Sequence, residues 1–150
     1  MKDTLSPRWS ALHLAVMKDL PETCQILVSA GADVNTTANI GNTPLLIAAY
    51  HKKQELSRIL ISGGANPNIQ NFMGMTALHW AARGNDLKTV QLLISAGAGL
   101  NIQNSKGESP LHLFMEYESH WEMKASVNCV RIQYCLDTLS LVYKGHRESA

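Results

Sequence analysis

The chain has 150 residues, 45% of them hydrophobic, and 13 lysine and arginine against 12 aspartate and glutamate, for a formal net charge of +1. That length suits one domain with room for a real core. A near-neutral chain without a basic stripe lacks the footprint of a protein that grips nucleic acid by neutralising phosphates, and no apolar run approaches the roughly 20 residues that cross a bilayer.

In chain order, Met1 to Pro7 carries no apolar run of the kind that marks a secretory signal. The tetrapeptide Ser10-Ala11-Leu12-His13 follows. It returns as Thr43-Pro44-Leu45-Leu46, Thr76-Ala77-Leu78-His79 and Ser109-Pro110-Leu111-His112, 33 residues apart each time. Leu27, Leu60 and Leu93 keep the same beat, as do Gly31, Gly64 and Gly97, and Asn35, Asn68 and Asn101. A fixed period of this size means stacked supersecondary units, in which each unit buries its faces only against its neighbours.

The second unit reads most cleanly. Thr43 is a helix N-cap, its hydroxyl placed to accept from an orphan N–H of the first turn. Pro44 occupies the first helical position, where its missing N–H costs nothing. Leu45, Ala48 and Ala49 make a short helix with small residues on its packing side. A second helix carries the apolar stripe Leu56, Ile59, Leu60 and Ile61 and stops at Gly63-Gly64, where a residue without Cβ adopts the left-handed cap. The stretch from Asn35 to Asn42 reads as an extended hairpin turning near Gly41, a glycine that recurs as Gly74 and Gly107. The third unit repeats the plan with Leu78, Ala81 and Ala82, then Val90, Leu92, Leu93 and Ile94, then Gly97-Ala98.

These signals divide the chain into units at about 5–37, 38–70 and 71–103, with 104–126 beginning a degenerate fourth and 127–150 its remainder and a tail. The first unit has Arg8 where the others carry the turn glycine, as an end unit with an unpartnered face would. In the fourth, Phe114 replaces an alanine, and Tyr117 to Ala125 reads as an insertion. Val130 to Tyr134 then answers Val90 to Ile94 at an offset of 40 rather than 33. Gln133 takes the slot of a core leucine, and weaker protection is expected from about Tyr117 onward. Leu139, Leu141, Val142 and Tyr143 either form a capping helix or belong to the cut end of a longer array.

His13, His79 and His112 lie one repeat apart, too far to act on one atom. Each is expected to bond the neighbouring Ser or Thr hydroxyl and adjacent hairpin backbone. No G-x-S-x-G, H-E-x-x-H or phosphate-binding loop occurs. Cys24, Cys129 and Cys135 form neither a disulfide framework nor a metal pattern, so no cofactor or metal is expected and a reducing compartment, cytosol or nucleus, is. His120 and His146, with Glu118, Glu122 and Glu148, read as surface loop. The fingers are more informative. Around their turn glycines stand Asn39, Ile40 and Asn42; Phe72, Met73 and Met75; and Ser105, Lys106 and Glu108. Apolar residues at adjacent tips either pack on the next finger or form an exposed patch that marks an interaction site.

The pattern [ST]-[PA]-L-H, the Gly-Ala punctuation and the 33-residue period together resemble the ankyrin-repeat family, from about Leu5 to Met115. The resemblance implies an all-α solenoid of helix-turn-helix units joined by β-hairpin fingers. It also implies a non-enzymatic module that binds another protein on the concave face made by finger tips and first helices. Carried over residue by residue, that face takes in Met17, Lys18, Ile40, Asn42, Tyr50, His51, Phe72, Met73, Met75, Arg83, Lys106, Glu108 and Glu116. Trp80 falls at the slot of Leu14, Ile47 and Leu113 and is assigned to the core. A monomer acting as scaffold or inhibitor is expected, without nucleic acid or membrane. The alternative is a substrate adaptor for ubiquitin ligation, although Val127 to Ala150 carries no visible ligase-recruiting box. The resemblance also implies that asparagines of such repeats are hydroxylated by an enzyme that prefers Leu eight residues before, an acidic residue two before and Val or Ile one before; Leu27, Asp33 and Val34 meet that pattern, which makes Asn35 the favoured site over Asn68 and Asn101.

Overall fold

The computed structural model describes residues 9–113. Glu116, the insertion, Gln133, Cys129, Cys135 and the tail lie outside that range. Helices α1 (Ala11–Met17), α3 (Pro44–Tyr50) and α5 (Ala77–Arg83) are the first helices of three units, and α2 (Pro21–Ser29), α4 (Gln54–Ser62) and α6 (Leu87–Ser95) the second. A fourth first helix begins over residues 110–113. Helix α3 packs on α1 and α5, α4 packs on α2 and α6, and each first helix packs on its own second helix. The result is two layers of helices stacked unit upon unit, as the repeat period requires.

Local chemistry sets each boundary. Ser10, Thr43 and Thr76 accept from the backbone N–H three residues on, capping α1, α3 and α5. At Ser10 and Thr76 the histidine at the third helical position reaches back to the cap backbone, closing a capping box. Second helices end in a Schellman motif: the N–H of Ala65 donates to the Leu60 carbonyl at 3.0 Å, while Gly64 takes φ 93°. Gly31 and Gly97 repeat that left-handed cap. Between first and second helices the chain turns through Asp19, Lys52 and Asn85, also left-handed at φ 57–58° and also one period apart.

The core runs continuously through the stack. Leu12, Leu45 and Leu78 come from first helices, Leu60 and Leu93 from second helices, and the alanines Ala48 and Ala81, both wholly buried, let α3 and α5 approach closely. Cys24, Ser57 and Val90 occupy one slot at the 33-residue spacing. Cys24 is fully buried there and its thiol is held above its ordinary pKa by burial, a small hydrophobe rather than a reactive group.

The fingers depart from expectation in detail. Among the described residues no strand forms. Each finger closes through two backbone bonds: the N–H of Ala38, Asn71 or Asn104 donates to the carbonyl of Asn42, Met75 or Glu108 at 2.8, 3.0 and 2.9 Å, and the tip glycine N–H donates back to the Ala38, Asn71 or Asn104 carbonyl at 3.0, 2.9 and 2.9 Å. Neighbouring fingers share one further bond each, Phe72 N–H to Ile40 O at 2.9 Å and Ser105 N–H to Met73 O at 3.0 Å. Single bonds of this kind make hairpin-like turns zipped side by side, short of a ladder.

Candidate functional site: the concave groove

The three histidine positions behave as structure. His13 Nδ1 lies 2.8 Å from Ser10 Oγ and accepts from the Ser10 backbone N–H, which leaves Nε2–H to donate to the Asn42 carbonyl at 2.9 Å. His79 does the same with Thr76 and the Glu108 carbonyl, at 2.8 and 2.9 Å. His112 Nδ1 lies 2.9 Å from Ser109 Oγ. Burial holds His13 and His79 below the ordinary value of 6.5, so both are neutral at physiological pH. Ser10 beside His13 is no nucleophile and base: the imidazole is wholly buried and its two nitrogens are committed to the cap and the next finger. Among the described residues no three His, Cys, Asp or Glu side chains converge on a metal-sized point.

Chemistry of another kind gathers on the face where finger tips meet the ends of first helices. A groove of about 660 Å³ lies there, floored and walled by Trp9, Met17, Ile40, Ile47, Tyr50, Met73 and Trp80, with Asn39, Asn42, His51 and Asn71 as its polar groups. Helix α3 ends by placing Tyr50 edge-on against Trp80 of α5, centroids 4.9 Å apart at 90°, and His51 edge-on against Tyr50 at 5.0 Å. The Arg83 guanidinium lies over the Trp80 ring, 5.9 Å from its centroid.

Of the expected residues, Ile40, Tyr50, His51 and Met73 line this groove and are exposed. Arg83 adjoins it through Trp80. Phe72 stands at the tip of its finger, 80% exposed, with its ring edge against Gly41. Asn42 lines the groove too, but its carbonyl accepts from His13 and its Oδ1 from Asn71 Nδ2 at 3.1 Å, so it also ties two fingers together. Lys106 is exposed on the third tip, outside the groove lining.

Two expectations need correction. Met75 is only 3% exposed: its N–H donates to Asn71 Oδ1 and the Asn104 amide meets its sulfur at 3.3 Å, so it is finger core and unavailable as an anchor. Glu108 is half-buried, its carbonyl accepting from His79 and its carboxylate from Asn104, which makes it a strut of the third finger. Conversely, Trp80 belongs to both worlds, packing on the core and lining the groove. Its slot lies at the rim of the stack, where Leu14 is 48% exposed and Ile47 only 7%. Trp9 was missed because it precedes the first helix, outside the repeated motif.

The finger geometry also explains an oddity at Ile40, whose φ is 59°. In the second and third fingers Asn71 and Asn104 accept the N–H groups two and four residues on, holding Met73 and Lys106 out of the left-handed region. Ala38 stands in that place in the first finger and has no such acceptor. Ile40 therefore carries a left-handed backbone, a conformation costly for a β-branched residue, at the point where its side chain enters the groove. Gly74 is required more directly: its φ is 74°, and a Cβ there would sit 2.8 Å from the backbone of Asn104 and Ser105.

Asn35 is half-buried; its Oδ1 accepts from the Asn66 N–H at 2.7 Å. Asn68 makes the matching bond to the Gly99 N–H at 2.6 Å and donates to the Gly97 carbonyl at 3.3 Å.

No curated protein matches this chain. A family model for ankyrin repeats, in three copies, matches residues 12–104, the same span over which capped first helix, glycine-terminated second helix and zipped finger recur in register. The chain therefore belongs to the ankyrin-repeat family, whose repeats are general protein–protein interaction modules.

Proposed function

We propose that this chain is a non-enzymatic docking module that holds a partner protein on its concave face, acting as a scaffold or as an inhibitor that masks the partner's surface. The observation that carries the reading is the cluster of Tyr50, Trp80 and Arg83 beside exposed Ile40, Phe72 and Met73. Tyrosine, tryptophan and arginine are the side chains most often found as binding hot spots. The surface is preformed, since fingers bonded to each other and to buried histidines leave little ordering entropy to be lost on binding. The proposed setting is the cytosol or nucleus, with the module a monomer.

The test is a photo-crosslinking amino acid placed at position 72 or at position 88 in the native cell. Adducts are expected from position 72 on the finger and none from Lys88, exposed on α6. Adducts from position 88 alone would move the docking site to the outer layer. With a captured partner, Phe72→Ser combined with Met73→Ser is expected to weaken binding at least tenfold, as loss of even one anchor of about 2 kcal/mol would.

We also propose Asn35 as the preferred hydroxylation site, on the Leu27, Asp33 and Val34 that precede it. Mass spectrometry after incubation with the hydroxylase is expected to find Asn35 modified ahead of Asn68 and Asn101; preference for either of those would sink the assignment.

A further inference from the structure

Charge on this molecule is near zero in sum but unevenly placed. The turns that end the first helices border the groove through Met17, Tyr50 and His51. They carry Lys18, Lys52, Lys53 and Arg83. Opposing them are Asp19 and Asp86. Asp19 is committed to Lys53 at 3.2 Å. Asp86 points inward, 6% exposed, accepting from Thr89 Oγ1 at 2.6 Å and Gln54 Nε2 at 2.7 Å. Lys18, Lys52 and Arg83 thus make no ion pair among the described residues. Among the described residues the remaining carboxylates sit elsewhere: Glu22 and Glu55 in the first turns of α2 and α4, Asp33 capping the Asn35 N–H, Glu108 bonded to Asn104.

We infer that the segment this groove takes is an acidic peptide carrying a bulky apolar side chain, a deepening that rests on the concave-face reading above. The apolar anchor seats among Ile40, Met73, Tyr50 and Trp80, while flanking carboxylates meet Lys18, Lys52 and Arg83. The Lys52 stem lies against Gly84 of the next unit, where a Cβ would come 3.0 Å from its Cε, so this cation sits beside the residue that follows Arg83 in the chain. Cations without ion pairs beside an apolar floor attract opposite charge on approach and fix the register of what binds. The aromatic geometry favours peptide over single-stranded nucleic acid. Bases stack on free aromatic faces, whereas Tyr50 and Trp80 meet edge to face and Arg83 lies over the indole.

The experiment pans a random 12-residue peptide library on phage against the full chain, then titrates labelled synthetic copies of the enriched peptides by fluorescence anisotropy. Enriched peptides are expected to carry net negative charge and at least one Leu, Phe, Trp or Met. Their affinity is expected to fall at least fivefold between 50 and 300 mM salt, because the Debye length that screens exposed charges shrinks from about 14 Å to about 6 Å over that range. Lys18→Glu with Arg83→Glu is expected to weaken them at least tenfold, and Lys88→Glu less than twofold. All three altered residues are surface-exposed, and circular dichroism of each variant is the check that it folds. Failure to enrich any peptide overturns the inference. So do enriched peptides that are neutral or basic, and so does displacement by an equal concentration of oligouridine. If neutral or basic peptides are lost on Ile40→Ser with Met73→Ser, the charge inference fails while the concave-face reading stands. If enriched peptides ignore that groove variant, the concave-face reading itself fails.

Discussion

Phe72 and Met75 lie three residues apart in one finger and meet opposite surroundings. Phe72 is 80% exposed and Met75 is 3% exposed. Phe72→Ser is therefore expected to leave the unfolding midpoint nearly unchanged, while Met75→Ser costs about 2–5 kcal/mol in urea titration, as truncation of a buried Met does. Ile40 offers a second contrast. Ile40→Gly relieves a left-handed strain of about 1–2 kcal/mol and returns part of it as glycine's greater loss of freedom, so stability is expected to hold or rise slightly. Binding on the groove is expected to weaken all the same, a pairing of strain with function; a fall in stability equal to that of Met75→Ser would show that Ile40 is not strained. The histidines set a pH dependence. Burial depresses His13 and His79 below their ordinary 6.5, so the unfolded chain takes up protons first as pH falls. Stability is complete above 6.5 and declines as pH drops from there through the depressed folded values. His79→Leu, which copies Leu46 of the second unit, is expected to flatten the melting-temperature slope between pH 7 and 5; an unchanged slope would show that other groups dominate.

At the scale of the element, the capped first helices are only seven residues long, too short to persist alone. Caps and packing hold them. Thr76 is 1% exposed and closes a capping box with His79. Thr76→Val keeps the shape and removes the hydroxyl, leaving the His79 N–H and Nδ1 without that partner. A loss of about 1–2 kcal/mol is expected from the cap, read as a lowered urea midpoint without change in slope. Helix ends were legible in the sequence because capping is local: Thr43, Pro44 and Gly64 act on backbone groups within a turn of themselves. The fingers were less legible. Glycine at each tip announces a turn, but whether two arms make a ladder depends on bonds to the next finger, and here that neighbour supplies one. The turns at Asp19, Lys52 and Asn85 went unnoticed for a related reason: lysine at a left-handed position carries no local signal.

The whole molecule behaves as a one-dimensional stack, each unit stabilised by those beside it. Leu60, wholly buried in α4, belongs to the core that joins α2 and α6 across the central unit, whereas Leu27 of α2 is only half-buried. Leu60→Ala is expected to cost about 2–5 kcal/mol and to lower hydrogen-exchange protection in all three described units. Leu27→Ala is expected to cost less and to act chiefly on the first. Equal effects from both would contradict a stack whose strength lies in its central interfaces.

Sequence by itself determined the family and the histidine roles, because a 33-residue period and helix caps can be read directly along the chain. The family resemblance it carries also put Ile40, Tyr50, His51, Met73 and Arg83 on one face. Only the tertiary structure decided which apolar tip residues stay exposed. Met73 and Met75 flank the same glycine and both donate to Asn71, and what separates them is Asn104 of the next finger, whose amide meets the sulfur of Met75 alone. The same holds for Trp80, whose indole divides between core and groove because Tyr50 arrives from the preceding unit to meet it. Contacts between units, 29 to 34 residues apart in the chain, are the part of the site that no local pattern records.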